Sequence, residues 1–251
     1  SPSRGLGDVY KRQVPLRVAV VGAGAIGCYL GTVLAQSPEC EVIFIGRERM
    51  ALEAAAYGLT AQDLNGACHR LRSPAVYSEF EALRTAQLVL VTVKALDLQI
   101  LLPQLAHYLS ADALVVAMQN GVAIAPLYQQ LLSQPVFRAI VPFNVVKISP
   151  GFYARTTGSE MIWQRSDDAR IHAVLKQLDQ HGIKSKQLEN VKAAEFGKLM
   201  LNLNNAINAL SDLPLQQQLL QRPYRLVLAA AIDELLRICR CCLLYTSDAA
   251  D

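Results

Sequence analysis

Three polar residues late in the chain, Lys198, Asn202 and Asn205, are spaced i, i+4 and i+7, so a helix over Val191–Leu210 carries them on one face. Leu, Ile and Ala make up much of the rest of that helix, and a face of one ammonium and two amides is costly to bury unless something polar binds it. The alternative is an amphipathic helix whose polar stripe faces water. A second constellation lies near the start, where Gly22-Ala23-Gly24-Ala25-Ile26-Gly27 forms a GxGxxG turn between an apolar strand and an apolar helix. In a dinucleotide-binding turn the first glycine (Gly22) permits the tight bend, the second (Gly24) admits a pyrophosphate to the backbone, and the third (Gly27) brings the helix against the strand. The N–H groups that open the helix, at Ala25 and Ile26, and its positive dipole end then face the phosphates. A plain strand-to-helix loop is the bland reading of the same glycines. Three more residues stand at the carboxyl ends of expected strands, where open α/β sheets bind ligands. Arg47 occupies the position where an Asp or Glu would hold the ribose of NAD, and its planar fork suits the 2′-phosphate of NADP. A solvated arginine is the alternative there, with Glu48 beside it available to a ribose. Lys94 follows the run Gln87–Val93, and Asn120, before Gly121, can hold a ligand with its amide or simply make the turn.

The elements needed to position these groups are legible in outline. Val18–Val21, Glu41–Ile45, Gln87–Val93 and Ala113–Met118 are short runs of the kind buried on both faces of a parallel sheet. Helices are expected over Ala25–Gln36, Glu48–Tyr57 (stopped by Gly58), Ala95–Leu109 and Asp168–Gln180 (capped by Gly182), with a short one over Glu79–Thr85 capped by Ser78. Leu59–Leu71 reads as a hairpin with a tight primed turn at Asn65-Gly66, and Val136–Val146 and Phe152–Trp163 as strands separated by Ser149-Pro150-Gly151. After residue 188 the pattern turns helical, with Pro214 as a break and one helix expected over Gln216–Cys241. The expected fold is α/β: a Rossmann-type, mostly parallel sheet domain over 14–188, followed by an all-helical domain that begins at 189–241 and is truncated.

The two ends read differently. Asp8–Gln13 (DVYKRQ) and Cys242–Ser247 (CLLYTS) match translations of a transposase sequencing-adapter end, read as GAT GTG TAT AAG AGA CAG and, on the reverse-complement strand, as TGT CTC TTA TAC ACA TCT. Residues 1–13 and 242–251 are therefore expected to be adapter-derived and not native. Their removal takes Arg4, Lys11, Arg12, Asp8, Asp248 and Asp251, which leaves the net charge at +3, too small and dispersed for a nucleic-acid surface. The apolar run Val18–Ala35 carries Gly22, Gly24, Gly27 and Gly31 in a strand-turn-helix pattern, so no membrane span is expected. Cys28, Cys40, Cys68, Cys239 and Cys241 fall in neither CxxC nor zinc spacing and read as reduced thiols of a cytoplasmic protein without a metal. His69, His107, His172 and His181 have no evident partner and read as structural.

Taken together, Gly22–Gly27, Arg47, Lys94, Asn120-Gly121 and Lys198-x-x-x-Asn202 resemble the 2-dehydropantoate 2-reductase (ketopantoate reductase) family, over essentially Leu16–Cys241. The resemblance implies an NADPH-binding Rossmann-type domain joined to a helical domain, and reduction of the C2 ketone of ketopantoate to pantoate in pantothenate and coenzyme A synthesis. It implies Lys198 as general acid, and Asn202, Asn205 and Asn120 on the substrate side. Gly22, Gly24, Ala25, Ile26, Gly27, Arg47, Lys94 and Asn120 would line the cofactor. The family often has another Asn where this chain has Ala206, with Asn205 as a stand-in, and its downstream Ser and Glu would lie beyond Cys241. This chain is therefore expected to bind NADPH but turn over poorly. The alternatives are a reductase of another 2-oxo acid and a non-catalytic NADPH-binding sensor. The only partner implied is a small 2-oxo acid; oligomeric state stays open, a homodimer included.

Overall fold

The structure, a computed structural model, describes residues 14–241. The flanks 1–13 and 242–251, expected to be adapter-derived, lie outside the described residues. The chain begins with β1 (Leu16–Val21), α1 (Ala25–Leu34), β2 (Cys40–Ile45) and α2 (Glu48–Tyr57). Four strands follow, β3 (Leu59–Gln62), β4 (Cys68–Leu71), β5 (Ala75–Tyr77) and β6 (Leu88–Val91), and then α3 (Leu98–Tyr108), β7 (Leu114–Ala117) and α4 (Ala125–Gln129). Next come β8 (Val136–Ile140), β9 (Val145–Ser149), β10 (Phe152–Arg155), β11 (Met161–Gln164), α5 (Ala169–Gln180) and β12 (Ser185–Leu188). The remainder is helical: α6 (Lys192–Ser211), α7 (Leu215–Leu220) and α8 (Arg222–Cys241).

The main sheet runs β12-β11-β8-β7-β6-β1-β2-β5 and is parallel from β5 across to β8. From β1 the chain goes first to β2 on one side and later to β6 on the other. That reversal of strand order is the switch point outside which such sheets bind ligands. The alternation of β1 divides the core between the two faces of the sheet. Val18 and Val20 pack with Tyr29, Leu30 and Leu34 of α1, while Ala19 and Val21 pack with Leu98, Leu101 and Leu105 of α3. Together these elements form the expected α/β fold, a mostly parallel Rossmann-type sheet followed by a helical region.

Several local expectations are corrected. The runs Val136–Val146 and Phe152–Trp163 each split in two, because the chain leaves the main sheet after β8, forms the β9–β10 hairpin and returns as β11. Pro142, which has no N–H for a ladder, stands at the first break, and Thr156-Thr157-Gly158-Ser159 at the second. β9 and β10 join β3 and β4 in a separate sheet, β4-β3-β10-β9, and α1 lies between it and the main sheet. The hairpin turn at Asn65-Gly66 is not of the primed type: only Gly66 has a positive φ (+84°). Its N–H donates to the Asp63 carbonyl (2.9 Å), while the Asp63 carboxylate accepts from the Leu64 amide (2.6 Å) and so fixes the turn one residue earlier. Ser78 does not cap the following 3₁₀ turn, Phe80–Thr85, and instead donates to the Glu79 carboxylate. The helix expected over Ala95–Leu109 opens as a 3₁₀ turn, Ala95–Asp97, before α3, and α1 stops two residues early. The helix expected over Gln216–Cys241 breaks at Gln221 into α7 and α8. Pro223 cannot donate to Leu219, whose carbonyl accepts instead from the Arg225 guanidinium (2.9 Å).

Within the small sheet, the ends of the neighbouring strands β3 and β10 are joined by a buried charge pair. Arg155 Nε lies 2.7 Å from Asp63 Oδ1, both side chains being almost fully buried, and the guanidinium stacks over Phe143 at 5.2 Å. Removing one partner leaves the other charged and unpaired in the interior. Asp63→Ala is therefore expected to destabilise the fold by about 3–5 kcal/mol, read as a lower urea midpoint with unchanged slope; a loss below 1 kcal/mol would show that the pair contributes little.

Candidate active site

The parallel strands place their carboxyl ends along one edge, and the glycine turn is fastened there from three directions. Gly22 has φ +97°, a conformation that favours glycine, and its N–H donates to the Ile45 carbonyl at the end of β2 (3.0 Å). Thr92, just after β6, donates its hydroxyl to the Gly22 carbonyl (2.7 Å). The Cys28 thiol donates to the Ala23 carbonyl (3.3 Å), and burial pushes that thiol up to about 11, which makes it an inert brace. Gly27 has no room for a side chain, since a Cβ would strike the Gly22 carbonyl and the Thr92 hydroxyl. Gly24 is the opposite case: a Cβ there would meet only the Gly22 carbonyl, at 4.0 Å. Among the described residues no carbonyl accepts from the amides of Ala25, Ile26 and Gly27. Open space at Gly24 beside free amides at a helix start suits a pyrophosphate.

Arg47 and Lys94 follow β2 and β6 on this edge, both exposed, and Asn120 lies in the turn after β7, also exposed. Among the described residues none of the three has a polar side-chain partner, so each is available to a ligand. The Asn120 turn is tight, with Gly121 at φ +105° and Ala123 at φ +58°. Gln119, just before it, is buried; its amide donates to the Val91 carbonyl (2.9 Å) and accepts from the Tyr128 hydroxyl (2.9 Å).

Lys198, half-buried on α6, donates its Nζ proton to the carbonyl of Val141, the residue after β8. It therefore stands at the same edge of the sheet as the glycine turn. Burial, and then the positive charge of Arg138, lower its pKa to about 8. Arg138 itself is 3% exposed in the middle of β8 and pairs with Glu195 of α6, 8% exposed, at 2.5 Å. The same guanidinium donates to the Ala117 carbonyl (2.7 Å) and the Gln119 carbonyl (3.1 Å) at the end of β7. Asn202 is half-buried, and Asn205, exposed, donates to its side-chain oxygen at 3.5 Å. Asn204, between them in sequence, turns the other way and exchanges two amide hydrogen bonds with Gln218 of α7. Sequence pattern alone does not single out Arg138, Glu195, Gln119 and Thr92 as site residues. A lone charge within the apolar run Val136–Ile140 was the available signal for Arg138, and a carboxylate one turn before Lys198 the signal for Glu195.

The histidines need one correction. His69 of β4 and His181, after α5, face each other edge-on with ring centres 5.0 Å apart, so they are partners. Burial, and then the neighbouring His181, lower the pKa of His69, and His181 Nδ1 lies 2.8 Å from the Gln177 carbonyl. Among the described residues no group of three or more His, Cys, Asp or Glu is arranged to hold a metal ion, and no helix is long and apolar enough to cross a membrane.

Comparison with known proteins bears on the family and the fold. The family model described as ketopantoate reductase PanE/ApbA matches residues 18–168. A crystal structure of a PanE/ApbA family ketopantoate reductase from Ralstonia eutropha JMP134 is similar over 90% of this chain and 74% of its own length, with 29% identity and a TM-score of 0.82. A 2-dehydropantoate 2-reductase from Geobacter metallireducens GS-15 is similar over 88% and 74%, with 25% identity and a TM-score of 0.79. D-mandelate dehydrogenase, crystallised with NADH and anilino(oxo)acetate, shares the fold at 17% identity, with a TM-score of 0.79 over 92% of this chain and 76% of that one. A search of curated proteins finds no match. The glycine turn, the strand ends and most of the sheet fall inside the matched stretch, which exceeds half the chain, so the chain belongs to the ketopantoate reductase PanE/ApbA family of oxidoreductases.

Proposed function

We propose that this protein reduces the C2 ketone of 2-dehydropantoate to pantoate with NADPH, serving pantothenate and coenzyme A synthesis in the cytoplasm, with Lys198 as general acid. The observation that carries the reading is the position of Lys198: half-buried at the carboxyl edge of the sheet and braced on Val141, where the glycine turn also opens. The segment 14–188 would hold the cofactor and 189–241 would supply the proton donor. Gly24 leaves backbone space for the pyrophosphate in a turn whose close packing needs Gly22 and Gly27, and the free amides of Ala25 and Ile26 would meet it. Arg47 would take the 2′-phosphate, and Lys94 and Asn120 would line the path toward the nicotinamide. Asn120, Asn202 and Asn205 would anchor the carboxylate and hydroxyl of the substrate. A reduced nicotinamide, when bound, supplies the hydride that goes to C2.

The chain itself must then manage the oxygen of the ketone. An ammonium with a pKa of about 8 is largely protonated at neutral pH, so it can polarise the ketone and then give the oxygen its proton. Lowering the pKa from its ordinary value brings it toward the working pH, which is where a general acid is most effective. Proton transfer from Lys198 to the alcohol oxygen leaves a neutral amine, which recovers its proton from water. The other 2-oxo acid reductions remain the nearest competing reading, because the fold is shared with D-mandelate dehydrogenase.

The test is optical: NADPH oxidation with and without ketopantoate, for this chain and for its reading frame continued past Cys241. Ketopantoate-dependent oxidation by the continued frame, faster with NADPH than with NADH, is the expected result, with little turnover by this chain; NADPH binding by the continued frame without any ketopantoate effect would sink the substrate assignment. Lys198→Ala is expected to lower turnover by about 10²- to 10⁴-fold and to leave NADPH affinity unchanged. Arg47→Ala is expected to shrink the preference for NADPH over NADH by about 10- to 100-fold, the worth of one charge-assisted hydrogen bond of roughly 1.5–3 kcal/mol. Lys198 also carries a stability signature. Its folded pKa of about 8 lies below the ordinary 10.5, so between these values the unfolded chain binds more protons and stability rises with pH. Lys198→Met is therefore expected to be more stable than the parent to urea at pH 7, with the gap narrowing toward pH 10; a gap that does not depend on pH would contradict the buried ammonium.

A further inference from the structure

We propose that Arg138 and Glu195 are positioning residues, a buried charge pair that locks the turn bearing Asn120 to the helix bearing Lys198 and sets the charge felt by the proton donor. The inference rests on Lys198 being that donor. Arg138 is the single charged residue of β8, and its guanidinium uses its fork on three acceptors from two elements. Two are the carbonyls of Ala117 and Gln119, the last residue of β7 and the residue before Asn120. The third is the carboxylate of Glu195, one helical turn before Lys198. Any sliding of α6 along the sheet edge must therefore separate two buried charges, or pull the guanidinium from the turn that presents Asn120. A planar group with donors in several directions can serve all three acceptors at once, which a lysine ammonium cannot do with this geometry.

Stability alone does not account for such a pair. Replacing a buried ion pair by apolar groups of similar volume is often neutral or stabilising. What the pair adds is register and field. Arg138, from the sheet side, is the charge that acts on Lys198 most strongly after burial, and Glu195, on Lys198's own helix, is the carboxylate paired with Arg138. The two charges thus push the proton affinity of Lys198 in opposite directions: the guanidinium favours release and the carboxylate favours retention.

That opposition provides the test. Lys198 is labelled with acetic anhydride across pH 6–11, in competition with a free amine standard, and its reactivity is read by peptide mass spectrometry. This reports its protonation without needing turnover. The parent midpoint is expected near 8. Arg138→Gln is expected to raise the midpoint by about one pH unit, and Glu195→Gln to lower it by about half a unit or more. A merely structural role would send both variants upward together, toward the value of an exposed lysine. If Arg138→Gln does not fold, Glu195→Gln decides alone, since a merely structural role would raise the midpoint that the proposal lowers, and the double variant Arg138→Met/Glu195→Met keeps the core filled for the kinetic test. In turnover assays of the full reading frame that double variant should lose about 10- to 100-fold in kcat with NADPH affinity retained. Midpoints that do not move, or that move in the same direction for the two single variants, overturn the proposal. Midpoints that move as expected in a protein that reduces no ketopantoate leave the pair's role standing and overturn the proposed substrate.

Discussion

The candidate site depends on one buried ion pair. Arg138 and Glu195 lie 57 residues apart in sequence, one in the middle of a strand and the other in the first turn of the long helix α6. Each would be prohibitively costly to bury alone. Together, with two backbone carbonyls completing the guanidinium's shell, they fix where the helix meets the sheet. Lys198 follows from that docking. It reaches the Val141 carbonyl because Glu195, one turn earlier, is already held.

The other half of the site is set by close packing around glycine. Gly27 brings α1 so near that the Gly22 carbonyl and the Thr92 hydroxyl fill the place of its side chain. Ile45, at the end of β2, accepts from the Gly22 amide, and Arg47 follows two residues later. The turn, the strand end with its arginine, and the threonine after β6 are thus one rigid unit. The free amides that open α1 are pre-organised by it, with open space beside Gly24, as an anion site requires.

Much of this was legible in the sequence, for physical reasons that can be named. The strand-turn-helix at Leu16–Leu34 is a local pattern, in which apolar runs and glycine spacing suffice. The same holds for Arg47 and Asn120, which are defined by their distance from a strand end, and for the face of α6, which is defined by helical periodicity. What escaped was non-local. Arg138 could be assigned a role only through a carboxylate 57 residues away. The two long apolar runs divided because their halves serve different sheets, which periodicity within one segment cannot show. The hairpin turn moved by a residue because the Asp63 carboxylate took the Leu64 amide, and the pairing of His69 with His181 joins a strand edge to a helix end. Gln221 became a break because Pro223 could not donate where a continuous helix needed it.

A site shared by the glycine turn, the Asn120 turn and the first turns of α6 must answer to bound NADPH in all three places. Hydrogen–deuterium exchange with and without saturating NADPH tests it directly in this chain. Slowed exchange is expected in three separate segments at once, 22–27, 119–121 and 192–202. Slowing confined to 22–27, with α6 unchanged, would mean that the helix carrying Lys198 does not face the bound cofactor, and the account of the site would fail.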